Sequence, residues 1–324
     1  MTQGKPLASV SLDLDDLWTY LRTRGDPGWE ARPSYLSSFV PLVLNLLDRL
    51  DLQITVFVVG ADAARSANLP HLEAIAERGH EIGNHSFSHD CSPHSYTPGQ
   101  LEEEIVRAEE AIIGATGQRP IGFRGPGFTW SPELLEILGR RSYLYDASTL
   151  PTFLGPLARW YFLARTRLSA EERRRRRALY GAFRNGFRSI RPYHWQLQGG
   201  AQLLEIPITT LPVAKVPFHM SYLLYIGRIS PGLMFAYLRT AISACRAVGV
   251  QPSFLLHPLD FLGSEQAPRL SFFPAMDLPG STKRDLVVRV LEILGDAFRL
   301  VPMAQHAEAI LAAGPLPERA PAFA

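Results

Sequence analysis

The chain has 324 residues, 46% apolar and 20% charged, a globular composition that excludes the disordered and fibrous classes and suits one large α/β domain. Its net charge of +2 excludes a nucleic-acid binder as a reading of the whole chain. Its two cysteines, Cys91 and Cys245, are too few for a disulfide framework and read as buried free thiols. No stretch reaches the roughly 18 uncharged apolar residues of a membrane span. The first residues lack the apolar segment and small-residue cleavage site of a signal peptide, so the expected location is the cytoplasm.

Strand and helix patterns alternate along the chain. "ASVSLDLD" predicts a buried strand, "YLSSFVPLVLNLLDRL" a helix, and "ITVFVVG" a second strand closed by Gly60. "LPHLEAIAERG" is helical with Gly79 at its end, and "HEIGNHS" is a short strand. "TPGQLEEEIVRAEEAIIGATG" is a strongly amphipathic helix, "IGFRGPG" a strand and turn, and "SPELLEILGRR" a helix with a Ser-Pro-Glu start. Later strands are predicted in "LLEIPITTLP" and "PSFLLHPLD", and later helices in "SPGLMFAYLRTAISACRAVG" and "STKRDLVVRVLEILGDAF". "FRLVPMAQ" and "HAEAILAAG" close one domain spanning 1–314, and 315–324 is expected to be a loose tail. Short connections between alternating β and α elements imply parallel strands covered by helices. Polar residues recur at strand C-terminal ends (Asp15, His85, Arg124, His257), which favours a (β/α) barrel, where such ends converge on one face.

Three carboxylates crowd the end of the first strand. Side chains alternate along a strand, so Asp13 and Asp15 share a face and need a cation or a shared proton between them. "NHSFSHD" adds His85 and His89, four apart and delivered to a strand end, so both imidazoles can reach one metal. One carboxylate and two imidazoles suit Zn²⁺ and leave positions open for water and substrate. "GFRGPGFTW" places Arg124 where it can hold a carboxylate in a bidentate pair. "YDAST" supplies Asp146, a candidate partner for Arg124 or for a histidine, and "FLLHPLD" supplies His257, a candidate general acid.

In this order the motifs resemble the polysaccharide deacetylases of carbohydrate esterase family four, over roughly residues 8 to 262. The resemblance implies a distorted, usually seven-stranded (β/α) barrel that uses one divalent metal to remove acetyl groups from N-acetylated sugars. It implies a base and a metal carboxylate in "SLDLDD", metal ligands His85 and His89, Arg124 orienting the base, and His257 as acid with Asp146 nearby. The usual first motif is Thr-Phe-Asp-Asp-Gly; here an Asp-x-Asp form, similar to an atypical branch, is followed by Leu17. Alternation favours Asp13 as base and Asp15 as ligand, whereas adjacency favours Asp15 as base and Asp16 as alternative ligand. Gly127 stands where the third motif usually has an aromatic residue; a backbone N–H near it can help hold an oxyanion.

Residues 150–200 break the rhythm and read as a mostly helical insertion on the barrel rim. Between Arg159 and Arg191 eleven Arg face only Glu171 and Glu172, a local net of +9. Arg173, Arg174, Arg175, Arg176 and Arg177, with the aromatic stretch "FLGPLARWYFLARTRL", suit an anionic membrane surface; a solvated helix face is the plainer alternative. The expected substrate is therefore an N-acetyl or N-formyl amino sugar on a lipid-linked or other cytosolic precursor. Residues 216–235 are read as core in preference to an acyl groove. Two rival readings remain at this point. "DLDDL" also resembles the start of haloacid-dehalogenase-type phosphatases, and the fold can serve as a non-catalytic sugar- or lipid-binding barrel.

Overall fold

The first strand sets the architecture. In the computed structural model, which describes residues 4–175 and 179–321, β1 spans Leu7–Asp13 and is buried throughout. Ala8, Val10, Leu12 and the following Leu14 pack into the largest apolar cluster, between the strands and the outer helices. Ser9 and Ser11 face the other way, where they meet His306 and Arg124. A strand with an apolar outer face and a polar inner face is what a barrel with a functional interior requires.

Parallel pairing proceeds from β1 through β2 (Thr55–Val58), β3 (Glu81–Asn84), β4 (Gly122–Phe123) and β5 (Tyr145–Asp146) to a strand beyond a further hairpin. That hairpin is β6 (Tyr193–Gln196) antiparallel to β7 (Gln202–Glu205), and β7 pairs parallel with β5. On its other side β1 pairs with β8 (Ser253–Leu256). The chain leaving β7 closes the ring: Thr209 N donates to Ser253 O at 3.1 Å, and Ser253 N donates to Thr209 Oγ1 at 2.8 Å. β1 to β5, β7 and β8 thus form the distorted, seven-stranded (β/α) barrel, with β6 splayed outside it. β9 (Arg299–Val301) pairs with the first half of β1.

Helices Leu36–Arg49, Pro98–Thr116, Pro231–Ala247 and Gly280–Ala297 cover the outside. The longest starts with a capping box, Thr97 Oγ1 accepting from Gln100 N while Gln100 Oε1 accepts from Thr97 N, and stops at Gly117. Helix Met303–Ala312 plugs one end of the barrel. Its Met303, Ala307 and Ile310 pack against Phe57, Tyr145 and Leu204.

Two expectations need correction. The tail is not loose along its length, because β10 (Glu318–Arg319) adds to the free edge of β6 as a parallel strand. The 150–200 segment is only partly helical: it holds helix Gly155–Leu163, helix Ala170–Arg175 and a 3₁₀ turn Phe183–Phe187, and then supplies β6. Of the five consecutive arginines, Arg173 and Arg174 are exposed, and Arg176 and Arg177 lie outside the described residues. Among the described residues no helix is long and apolar enough to cross a membrane.

Candidate active site

β1 ends at Asp13, and the next three residues take different jobs. Asp16 caps helix Leu17–Arg24, its Oδ1 accepting from Leu17 N at 2.7 Å and from Tyr35 N at 3.0 Å. That use of Asp16 removes it as the alternative metal ligand, and burial pushes its carboxyl up to about 6. Asp15 turns the opposite way, into a cavity of about 460 Å³ that Asp13 also lines. Tyr35 anchors it by donating its hydroxyl to Asp15 O. Strand alternation therefore describes the pair better than adjacency does.

His85 follows β3 directly, and His89 comes after a tight loop. Ser86 and His89 both have positive φ, +60° and +52°, an uncommon conformation for residues with a Cβ. The loop is held there by Ser86 Oγ accepting from His89 N at 3.1 Å, and by Glu104 Oε2 accepting from Ser88 N at 2.8 Å and Ser88 Oγ at 2.9 Å. Arg22 grips the same loop through Ser88 O and Asp90. The result brings three predicted ligands together. Asp15 Oδ1 lies 3.4 Å from His85 Nε2 and 2.8 Å from His89 Nε2, and candidate ligand atoms of all three lie within 4.8 Å of one another.

These residues fit a metal. All three are buried, and among the described residues no hydrogen bond from outside the cluster satisfies Asp15 Oδ1 or either ring nitrogen of His89. His85 Nδ1 lies 2.7 Å from Arg124 O, the outer contact that fixes an imidazole tautomer and aims the other nitrogen at an ion. Burial works against charge on Asp15, but His89 and His85 hold its carboxyl well below the usual carboxylate range. Burial likewise opposes protonation of His85, and the Asp13 and Asp15 carboxylates outweigh it, raising the ring above its ordinary value.

Beside this cluster lies a second one. Arg124 is wholly buried, and its Nη1 donates to Asp13 Oδ1 at 2.7 Å and to Ser11 Oγ at 2.8 Å. Its Nε donates to Ala147 O at 3.1 Å, and the guanidinium lies 4.4 Å from the Phe57 ring centre. Arg124 thus fixes Asp13, leaving Asp13 Oδ2 facing His257 Nε2 at 3.8 Å.

Asp146 is not the partner of His257. Its Oδ1 accepts from Ser148 Oγ at 2.5 Å, and Ser148 Oγ in turn accepts from Gly125 N at 2.8 Å, so Asp146 steadies the Arg124 loop. It also shares a buried hydrogen bond with Glu205, and burial raises both carboxyls, a pair best served by one shared proton. The carboxylate behind His257 is Asp260. Ser221 Oγ lies 3.2 Å from His257 Nδ1 and donates to Asp260 Oδ1 at 2.8 Å, while Asp260 Oδ2 accepts from His257 N at 2.8 Å. The sequence shows Asp260 three residues after His257, in "HPLD", a spacing at which a carboxylate can return to the backbone of the first residue.

Gly127 lines the cavity at φ +62°, where any Cβ would collide with Leu179. Its carbonyl accepts from Tyr180 N at 3.3 Å, which ties the loop to the 150–200 segment. His219 is a further cavity residue that sequence reasoning missed. It is buried, its Nδ1 has no hydrogen-bond partner among the described residues, and its ring centre lies 6.2 Å from that of His257. Burial, with the charges of His257 and Arg124, pushes it down to about 3 and keeps it neutral. The 216–235 segment divides between core and cavity: Phe218 and Leu223 pack inside, while Tyr222 and Tyr225 line the cavity.

A family model described as "Polysaccharide deacetylase" matches residues 8–145, which include Asp13, Asp15, His85, His89 and Arg124. A peptidoglycan deacetylase of Helicobacter pylori is 27% identical over 44% of this chain and 50% of its own length. A peptidoglycan-N-acetylglucosamine deacetylase of Listeria monocytogenes is 29% identical over 32% of this chain and 22% of its own length. The chain thus spans half or less of the length of these curated relatives. A Mycobacterium smegmatis protein assigned to the polysaccharide deacetylases shares the fold across 98% of this chain and 95% of its own, with a TM-score of 0.64 at 19% identity. PuuE allantoinase shares it across 95% of this chain and 91% of its own, with a TM-score of 0.59 at 18% identity. Through residues 8–145, the chain resembles the polysaccharide deacetylase family.

Proposed function

We propose that the protein removes an N-acetyl or N-formyl group from an amino sugar carried on a lipid-linked precursor, working at an anionic membrane surface with one divalent metal, Zn²⁺ by preference. The observation that carries the hydrolase reading is the convergence of Asp15, His85 and His89 beside the Arg124–Asp13 pair and His257. The mixed oxygen and nitrogen donor set suits zinc. When bound, the metal would polarise the amide carbonyl and make water acidic enough to attack near neutral pH.

The chain's own residues supply the proton transfers. Asp13 takes the proton from the attacking water, and Arg124 fixes its carboxylate in direction. His257 gives a proton to the departing amine, otherwise a poor leaving group, with Ser221 and Asp260 orienting its ring. The peptide at Gly127 is a candidate donor to the oxyanion. Asp146 positions the Arg124 loop rather than touching the reacting atoms. The membrane part of the reading is supported by the +9 stretch from Arg159 to Arg191 and by Leu157 and Trp160, 60% and 68% exposed.

The test is metal analysis of the purified protein together with mass spectrometry of a lipid extract incubated with and without it. Stoichiometric zinc and loss of one acetyl or formyl mass from a glycolipid are expected. A metal-free protein that leaves both lipid-linked and free N-acylated sugars intact would refute the hydrolase reading.

A further inference from the structure

The cavity has a charged floor and walls that are largely apolar. Helix Gly155–Leu163 forms one wall with Leu157 and Trp160, and Tyr225 and Phe272 contribute from elsewhere. Leu157 and Trp160 both line the cavity and are largely exposed, so its apolar lining continues onto the outer surface. Two cations also line the cavity. Arg24 lies over Phe272 at 3.8 Å and is paired with Asp26, whereas Arg165 lies over Tyr161 at 3.7 Å and has no ion pair among the described residues. The lining carboxylates are Asp13, Asp15 and Asp260, which belong to the metal end and the His257 contact.

We infer that the outer part of this cavity is a binding site for an anionic amphiphile, with a phosphate at Arg165 and a hydrocarbon chain along Leu157, Trp160, Tyr225 and Phe272. Arg presents several N–H donors in a plane suited to phosphate oxygens, and stacking on Tyr161 presets its orientation. The hydrocarbon supplies the apolar partner these walls lack. The net charge of +9 between Arg159 and Arg191 favours the same sign of ligand. Identifying the amphiphile as the carrier of the reacting sugar rests on the proposed hydrolase function; the binding itself does not.

The test is calorimetric titration of the full chain with decyl phosphate, ethyl phosphate and decyl glucoside, all below micelle-forming concentrations. Decyl phosphate is expected to bind one to one, at least tenfold tighter than either of the others. Arg165→Gln and Trp160→Gln should each weaken it at least fivefold. Trp160 is 68% exposed, so its replacement leaves the core intact, and the ligand series on the wild-type chain decides the matter even if a variant misfolds. Equal affinity for ethyl and decyl phosphate would mean a free-anion site and overturn the inference, as would binding indifferent to both substitutions. A protein that deacylates a soluble N-acetylated sugar but binds no decyl phosphate refutes this inference alone. One that binds decyl phosphate but hydrolyses nothing refutes the hydrolase reading alone.

Discussion

The floor and the mouth of the cavity are built on opposite principles. At the floor, polar side chains are held by named partners: Arg124 by Asp13, Ser11 and Ala147, and His257 by Ser221 and Asp260. At the mouth, Leu157 and Trp160 are 60% and 68% exposed. The floor comes largely from residues 8–145, where the family match lies; the mouth comes largely from the 150–200 segment beyond it. The buried polar groups thus sit on strand ends, while the exposed apolar surface around the cavity comes from a segment outside the family match.

Substitutions at the floor test that contrast most severely. His85→Ala should abolish stoichiometric metal and lower kcat/KM by about 10³-fold or more, since it removes one of three ligands. Unchanged metal content by elemental analysis would take His85 out of the site. Asp13→Asn should keep the metal but lower kcat by about 10²–10⁴-fold, the range for a lost general base. Loss of metal with Asp13→Asn would exchange the roles of Asp13 and Asp15. Arg124→Met strands Asp13 in a buried environment and should cost roughly 3–5 kcal/mol in urea unfolding. A loss below about 1 kcal/mol would mean that water replaces the guanidinium.

Two smaller effects sharpen the same picture. Burial depresses His306 to about 4, so below its unfolded-state value of about 6.5 the unfolded chain binds the extra proton. Folding stability from this group is therefore lost as pH falls from 6.5 towards 4, by about 3 kcal/mol in all. Wild type should lose its lead over His306→Gln across that interval, as measured by denaturation at several pH values; a constant gap would mean that His306 can be protonated in place. Asp146→Asn, which can donate to Glu205 without a shared proton, should cost about 1 kcal/mol or less and spare most of the activity. A rate loss matching that of Asp13→Asn would restore Asp146 to the catalytic set.

Much of the floor was legible in the sequence because strand ends advertise it. β1, β3 and β8 run straight up to Asp13, His85 and His257, and two-residue alternation points to Asp13 and Asp15 as the inward pair. The haloacid-dehalogenase alternative used none of the three histidines, and the family match sets it aside. The partners of these residues were less legible. Glu205 lies inside the apolar run "LLEIP", and only the fold reveals that it opposes Asp146. His219 sits beside aromatic residues that read as core, and nothing local shows that one side of it opens to the cavity. β5 is two residues long, too short to give a periodicity, and is held by neighbours distant in sequence.

The helix that closes the far end of the barrel has a consequence for traffic. Met303 abuts Arg124 at 3.4 Å and His306 bonds to Ser9 at 2.9 Å, so among the described residues this helix fills the interior behind Asp13. Under the proposed function, substrate and released acid would then both use the cavity mouth, and a lipid-anchored molecule would be withdrawn before the next could follow.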